Sequence, residues 1–536
     1  MPRVLPESWR LRARPAKRSS SAPVACPRVG GVRPRSSGTR RRCRCRPVRR
    51  HQGRGCRPRS RAGAVPCRDG RRSGRGLPTS GPPPRSRKEH GRVARARGLV
   101  GHVLEVSMAW QTAILPSRST TVERALREDV GRIGRIGSIA LPTPKGDRPM
   151  PNRPYTHRER FRRLMHFQSV DRGIHWEFGF LDEAIQRFHR EGLPEQYNDN
   201  GAIERYFGRD PVAGVPVHLS LHPGFAEEII EETERTVTKR LASGEIAEIQ
   251  KHGQHTIPHY LKFPIETRHD WEEFKERLDP ADPVRHQHDY KALADRYRNS
   301  EAPICIGCGS YLGCIRNWVG FENLAFMVAD DPGLVEEMVA HLCDLFLCEL
   351  EPALKEIEVD FAAGWEDICF NTGSVIGPKH FRELVIPHQT RVMRLLRQHG
   401  VDVIYTDCDG NVNELLPLWI ECGMNGMFPC EVNGGSDPVQ LRARHDRDVL
   451  LFGGVAKKEL AGTKEDILAE LKRLAPLVEE GGFIPMVDHR CPEYVSYDNY
   501  RYYQREKLAL LGFSQAEIAE IEPLRNMPAT TPSAIA

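Results

Sequence analysis

Two short polar clusters hold the residue types best suited to chemistry: Thr406-Asp407-Cys408-Asp409-Gly410-Asn411 and Asp488-His489-Arg490-Cys491. Each follows directly on an apolar run, Val401–Tyr405 or Phe483–Val487, bounded by Gly400 or by Gly481-Gly482, and each run reads as a buried strand. Carboxylates, thiols and imidazoles placed where core strands end are what a barrel enzyme sets at its chemical face. They suit the binding of a metal ion or the movement of a proton. Asp407 and Asp409 also fit an Asx turn ahead of Asn413. A third apolar run, Phe361–Trp365, ends in the adjacent acids Glu366 and Asp367, which join the candidate catalytic residues. Arg316, beyond Gly309-Ser310-Tyr311, suits either a substrate carboxylate or a helix cap. Cys305-x-x-Cys308 has metal or redox spacing, but it lacks a second half and reads as core.

These residues need a scaffold, and the rhythm of the chain supplies one. Thr156, with Glu159 three residues on, reads as a capped helix start, followed by a strand at Ile174–Phe180. From about 234 to 265 polar and apolar residues alternate around Ala242-Ser243-Gly244, the pattern of an antiparallel insert. Beyond it strand and helix alternate: Pro303–Gly307, a helix from about Gly333 to Ile357 with Pro352 in its last turns, Phe361–Trp365, a helix from Pro378 to Gln398, then Val401–Tyr405, Met424–Phe428, Val449–Phe452 and Phe483–Val487. Repeated βα units of this length predict a (β/α)8 TIM barrel over residues 150–515, with 516–536 as a tail. No helix opens on a nucleotide-binding glycine pattern.

Charge divides the chain. Residues 1–149 hold about 37 Lys+Arg against about 8 Asp+Glu, whereas the remainder is acidic. The basic segment is rich in Arg, Pro and Gly and poor in apolar residues, so it is expected to be disordered. Met150-Pro151-Asn152, at the first patterned segment, is a candidate true start. Nucleic acid is not an expected partner, because aromatic interleaving is nearly absent. No apolar run is long enough to span a membrane. Fifteen cysteines without a disulfide framework point to reduced thiols and a cytoplasmic protein.

Several of these segments resemble the uroporphyrinogen decarboxylase superfamily: Arg158-Glu159-Arg160-Phe161 with Val170-Asp171-Arg172, Gly377–Pro387, the Tyr405–Asn411 turn, Phe452-Gly453-Gly454-Val455, and Gly481-Gly482-Phe483 running to His489. The resemblance implies a barrel and one of two chemistries. In a zinc-dependent methyl transfer from a corrinoid to a thiol, Cys408 and His489 would hold the metal, with Glu366, Glu177 or His175 as third ligand. Thr406 stands where that branch has a histidine. A corrinoid protein would then be the partner of a small-molecule substrate. In a cofactor-free decarboxylation of uroporphyrinogen III or a related tetrapyrrole acid, Asp407 or Asp367 would stabilise a protonated pyrrole and His489 would place a carboxylate. The decarboxylases' paired arginines are absent here, where His175 and Glu177 stand instead. His175, Glu177, Arg316, Tyr405 and Asn411 are the residues expected at the substrate. Methyl transfer is the first expectation and decarboxylation the second. A non-catalytic barrel, or a protein binding nucleic acid through its basic arm, is the reading from another class.

Overall fold

The computed structural model describes residues 154–251, 258–525 and 527. The basic arm, the Met150 start and most of the last ten residues lie outside them. The strands, in chain order, are β1 (Ala213–Val215), β2 (Glu228–Glu232), β3 (Thr236–Arg240), β4 (Ile246–Gln250), β5 (His259–Lys262), β6 (Ile304–Gly309), β7 (Phe361–Trp365), β8 (Cys369–Phe370), β9 (Gly373–Ser374), β10 (Val403–Asp407), β11 (Gly426–Phe428), β12 (Leu450–Val455) and β13 (Phe483–Val487). Seven of them form one parallel sheet in the order β1-β6-β7-β10-β11-β12-β13.

The predicted strand at Ile174–Phe180 closes this sheet without forming a full ladder. Phe180 bridges Cys491 in parallel, Cys491 N–H donates to the Gly179 carbonyl at 2.8 Å, and Asp210 N–H donates to the His175 carbonyl at 2.9 Å. The segment thus lies between β13 and β1 in the eighth place of a (β/α)8 barrel. The insert is a separate four-stranded antiparallel sheet, β2-β3-β4-β5, which begins six residues before the alternation starts at 234. β2 is exposed along its whole length, so no burial imposed a readable alternation there. The helix expected from about Gly333 spans Pro332–Glu356 and runs through Pro352. Thr156 and Glu159 form the expected reciprocal cap. A short helix at Gln515–Glu520 follows the last barrel helix, Tyr497–Leu510.

Period-2 alternation sorts each barrel strand into two buried faces. Ile174, Trp176, Phe178, Cys305, Phe361, Val403, Tyr405, Phe428, Leu450, Phe452, Ile484 and Met486 fill the interior. Ile304, Ile306, Ala362, Ile404, Met427, Leu451, Phe483 and Val487 face the surrounding helices. On β10 the odd-numbered residues therefore point inward and the even-numbered ones outward. That parity decides which predicted residues can meet at the mouth.

Candidate active site

β7 and β10 pair in register, with Asp407 opposite Trp365, so the turns that follow them lie side by side. Asp407 ends β10 on the inward face, and Asp409, two residues on, is turned to the same side. Asp367 follows β7 in a left-handed conformation, φ 44°, which aims its side chain back toward them. One carboxylate oxygen from each of Asp367, Asp407 and Asp409 lies within 4.8 Å of the others, and all three residues are buried. Asp367 Oδ1 accepts the Asp409 N–H at 3.2 Å. Both oxygens of Asp407 and Oδ1 of Asp409 are buried without a hydrogen-bond partner.

Three carboxyls this close cannot all ionise cheaply. Burial, then the charges of Asp367 and Asp409, hold the Asp407 carboxyl well above the usual carboxylate range. Burial and Asp409 push Asp367 up to about 8, against the pull of Arg316. Positive charge comes from two sides. His489 Nε2 lies 3.5 Å from Asp409 Oδ2; burial opposes its imidazolium form, but Asp409 outweighs burial and raises it. Arg316 Nη2 lies 3.6 Å from Asp367 Oδ2, with both side chains fully buried. Arg490 adds a further favourable charge toward Asp407.

A second layer fixes the His489 side. Asp488 accepts the backbone N–H groups of Lys457 at 2.9 Å and Val432 at 3.1 Å. Lys457 Nζ pairs with Glu431 at 2.7 Å, and the other oxygen of Glu431 takes the Gly410 N–H at 3.0 Å. The Asp409-Gly410 turn and the His489 turn are thereby tied to the ends of β11 and β12. In the sequence Asp409 reads only as part of the first polar cluster or of an Asx turn, and Glu431 and Lys457 were not among the sequence candidates. Asp409 was signalled by its i+2 spacing from Asp407; the other two had no local signal.

The remaining candidates lie elsewhere. Cys408 is on the outward face, where its thiol meets Cys369 and burial raises it far above the ordinary thiol range. It therefore does not share a site with His489. Glu366 accepts the N–H groups of Tyr311 at 3.1 Å and Gly313 at 2.9 Å, capping the helix Leu312–Val319 that carries Arg316. Burial raises its carboxyl to about 7 against those two bonds. Both of its oxygens are engaged there, so it supports Arg316 instead of joining the acidic cluster. His175 and Glu177 alternate with inward-facing Trp176 and so face outward. His175 Nε2 contacts the Phe207 carbonyl at 3.0 Å. Glu177 accepts from Tyr503 and Gln504, each at 2.8 Å, and pairs with the buried Lys507. Glu177 serves the joint between the first barrel segment and the last barrel helix, and His175 ties that segment to the end of the helix Asn200–Tyr206. Tyr405 packs inside the barrel below the mouth, 4.9 Å from the Phe452 ring centroid. Asn411 shapes its own turn, its Oδ1 accepting from Asn413 Nδ2 at 2.6 Å.

Residues 249–503 match the family model described as uroporphyrinogen decarboxylase (URO-D). No curated protein matches the chain. Among solved structures, a methyltransferase from Methanosarcina mazei is 14% identical, covering 66% of this chain and 99% of its own, with a TM-score of 0.42. A B12-independent methionine synthase from Shewanella sp. W3-18-1, solved with selenomethionine, is 12% identical over 60% of this chain and 86% of its own, with a TM-score of 0.32. An IOLI protein with a binding zinc atom is 12% identical over 44% of this chain and 86% of its own, with a TM-score of 0.25. No helix among the described residues is long and apolar enough to cross a membrane. With its parallel barrel, and a carboxylate-lined mouth falling inside the matched stretch, the chain is similar over residues 249–503 to the uroporphyrinogen decarboxylase superfamily.

Proposed function

We propose that the chain is a carboxy-lyase of this superfamily, which removes CO2 from a small carboxylate-bearing molecule and leaves a proton in its place. Asp407 carries this reading: a buried carboxyl at the end of a barrel strand, with neither oxygen hydrogen-bonded, held in its acid form by burial and by two neighbouring carboxyls. Such a group is a proton donor at neutral pH. In the reaction the bond to the carboxylate carbon breaks, CO2 departs, and the electron pair passes into the substrate's own π system. The Asp407 proton then moves to the vacated carbon, and water reprotonates Asp407. The Asp409–His489 pair and Arg316 favour negative charge on the bound substrate. The inward residues of the first segment, Ile174, Trp176 and Phe178, are apolar, which favours a substrate with fewer carboxylates than uroporphyrinogen.

Carbon dioxide release and deuterium incorporation from D2O, screened over tetrapyrrole acids and aryl-acetic acids, test this reading. Both signals are expected to vanish in Asp407→Asn. Release of CO2 unaffected by that change would remove Asp407 from the chemistry.

Metal-assisted methyl transfer from a corrinoid protein to a thiol is the second reading, and the triangle of carboxylate oxygens favours it. Oxygen donors lacking hydrogen-bond partners suit a hard divalent cation. Asp367, Asp407 and Asp409 would hold it, in place of the Cys408 set expected from sequence, and it would supply Lewis-acid activation. A stoichiometric divalent metal in purified protein, lost in Asp407→Asn, together with demethylation of methylcobalamin, would favour this reading over the first.

A further inference from the structure

Arg160, Arg172 and Arg285 show how this chain ordinarily satisfies a buried guanidinium. Arg160 donates to both oxygens of Asp171, each at 2.8 Å, and to the Tyr155 carbonyl at 2.9 Å. Arg172 donates to the two oxygens of Asp210 at 2.7 and 2.8 Å. Arg285, 1% exposed, donates to the carbonyls of Asp279, His218, Ser220 and Arg277 at 2.6–3.0 Å. Arg316 is equally buried at 1%, and its Nε, Nη1 and Nη2 all lack a hydrogen-bond partner.

Its acidic neighbour, Asp367, stands at 3.6 Å, beyond hydrogen-bond reach. The Phe321 ring, its centroid 5.3 Å from the guanidinium carbon, offers a face but no acceptor. The arginine is nonetheless firmly held, because Glu366 fastens the start of its helix. A guanidinium deprived of water and of protein acceptors is strongly disfavoured unless something else supplies them. Its planar fork matches a carboxylate, which accepts two parallel N–H bonds. A phosphate would spread its charge over three oxygens beside Asp367 and Asp409, whereas a carboxylate presents only the two that face the fork, so the acidic surroundings favour the carboxylate.

We propose that Arg316 is the anchor for a carboxylate of the substrate, which it grips with its unpartnered guanidinium edge beside the Asp367–Asp407–Asp409 cluster. This deepens the carboxy-lyase reading by naming the group that holds the substrate, and it rests on that reading only for what happens after binding.

Calorimetric titration of the full chain with malonate, and separately with inorganic phosphate, tests the anchor without requiring turnover. Wild type is expected to bind malonate saturably in the millimolar range or tighter. Arg316→Lys, which keeps the charge and loses the fork, is expected to weaken binding about tenfold or more. Arg316→Gln should abolish it, and Arg382→Gln, at an exposed pair with Glu421, should leave it within about threefold of wild type. Thermal melts without ligand identify any variant that misfolds, and Arg316→Lys keeps the test decisive if Arg316→Gln does. Absence of malonate binding by wild type, or equal binding by wild type and Arg316→Lys, would overturn the anchor. Phosphate binding tighter than malonate would overturn the carboxylate class. Malonate binding lost as expected, in a protein that releases no CO2 from any acid tried, would keep the anchor and reject the carboxy-lyase reading.

Discussion

Asp367→Asn separates a protonated carboxyl from a buried ion pair. The position has φ 44°, a conformation that Asn tolerates as well as Asp does, and Asn Oδ1 can still accept the Asp409 N–H. The substitution therefore removes ionisation while sparing the backbone. A carboxyl that titrates near 3.8 when unfolded but keeps its proton to about pH 8 in the fold must take up a proton on folding at pH 7. At about 1.4 kcal/mol per pH unit across roughly three units, that opposes folding by about 4 kcal/mol. Because proton uptake is shared between Asp367 and Asp407, a gain of about 2–4 kcal/mol is the expected result for the variant at pH 7. The folded-state value is raised, so this contribution to wild-type stability is intact below about pH 4 and disappears as pH climbs toward 8. The variant's advantage should accordingly grow from about 1–2 kcal/mol at pH 5 to its maximum above pH 8. Urea unfolding of both proteins at pH 5, 7 and 8.5, in the presence of a chelator, measures it. A variant less stable than wild type at pH 7, with no growth in the difference toward pH 8.5, would mean that Asp367 is ionised against Arg316. The shared-proton picture would then be wrong.

Three further outcomes follow from the packing. Glu177→Gln leaves the ammonium of Lys507 buried without its carboxylate and should cost about 3–5 kcal/mol in chemical denaturation; an unchanged midpoint would show that water reaches the pair. Cys408→Ala should cost about 1–2 kcal/mol and leave turnover within about twofold, because the thiol faces the outer core layer; loss of bound metal or of activity would put it back in the site. Gly453→Ala should abolish soluble expression, since its Cβ would lie 1.7 Å from the Pro429 carbonyl oxygen at φ 98°; a well-folded variant would contradict the packing of β12 against the turn after β11.

The parallel strands were legible because each is buried on both faces, and short apolar runs between glycines have few other readings. The placement of Asp407 and His489 at strand ends was legible for the same reason. What local spacing left undecided was which way each side chain faces. Cys408 stands between two aspartates, and only the register of β10 against β7 shows that the aspartates turn in and the thiol turns out. His175 and Glu177 carried a readable clue, since they alternate with Ile174, Trp176 and Phe178. A buried polar face outside the barrel, however, requires a distant partner, and Lys507 lies more than three hundred residues away. Glu366 looked like chemistry because it sits beside Asp367. Its oxygens are taken by backbone N–H groups more than fifty residues earlier, a pairing that exists only once β6 and β7 are adjacent.

The seam between Ile174–Phe180 and Cys491 has a consequence for biosynthesis. The first barrel segment meets its neighbour on one side only when Cys491 is present, and its outward carboxylate, Glu177, meets Lys507 sixteen residues later. A nascent chain halted before Cys491 therefore holds an unclosed sheet, with the Ile174–Phe180 segment at a raw edge and Glu177 lacking its counter-ion. Closure of this barrel waits on the synthesis of its last strand and helix, and until then the partly made chain is the form most in need of a chaperone.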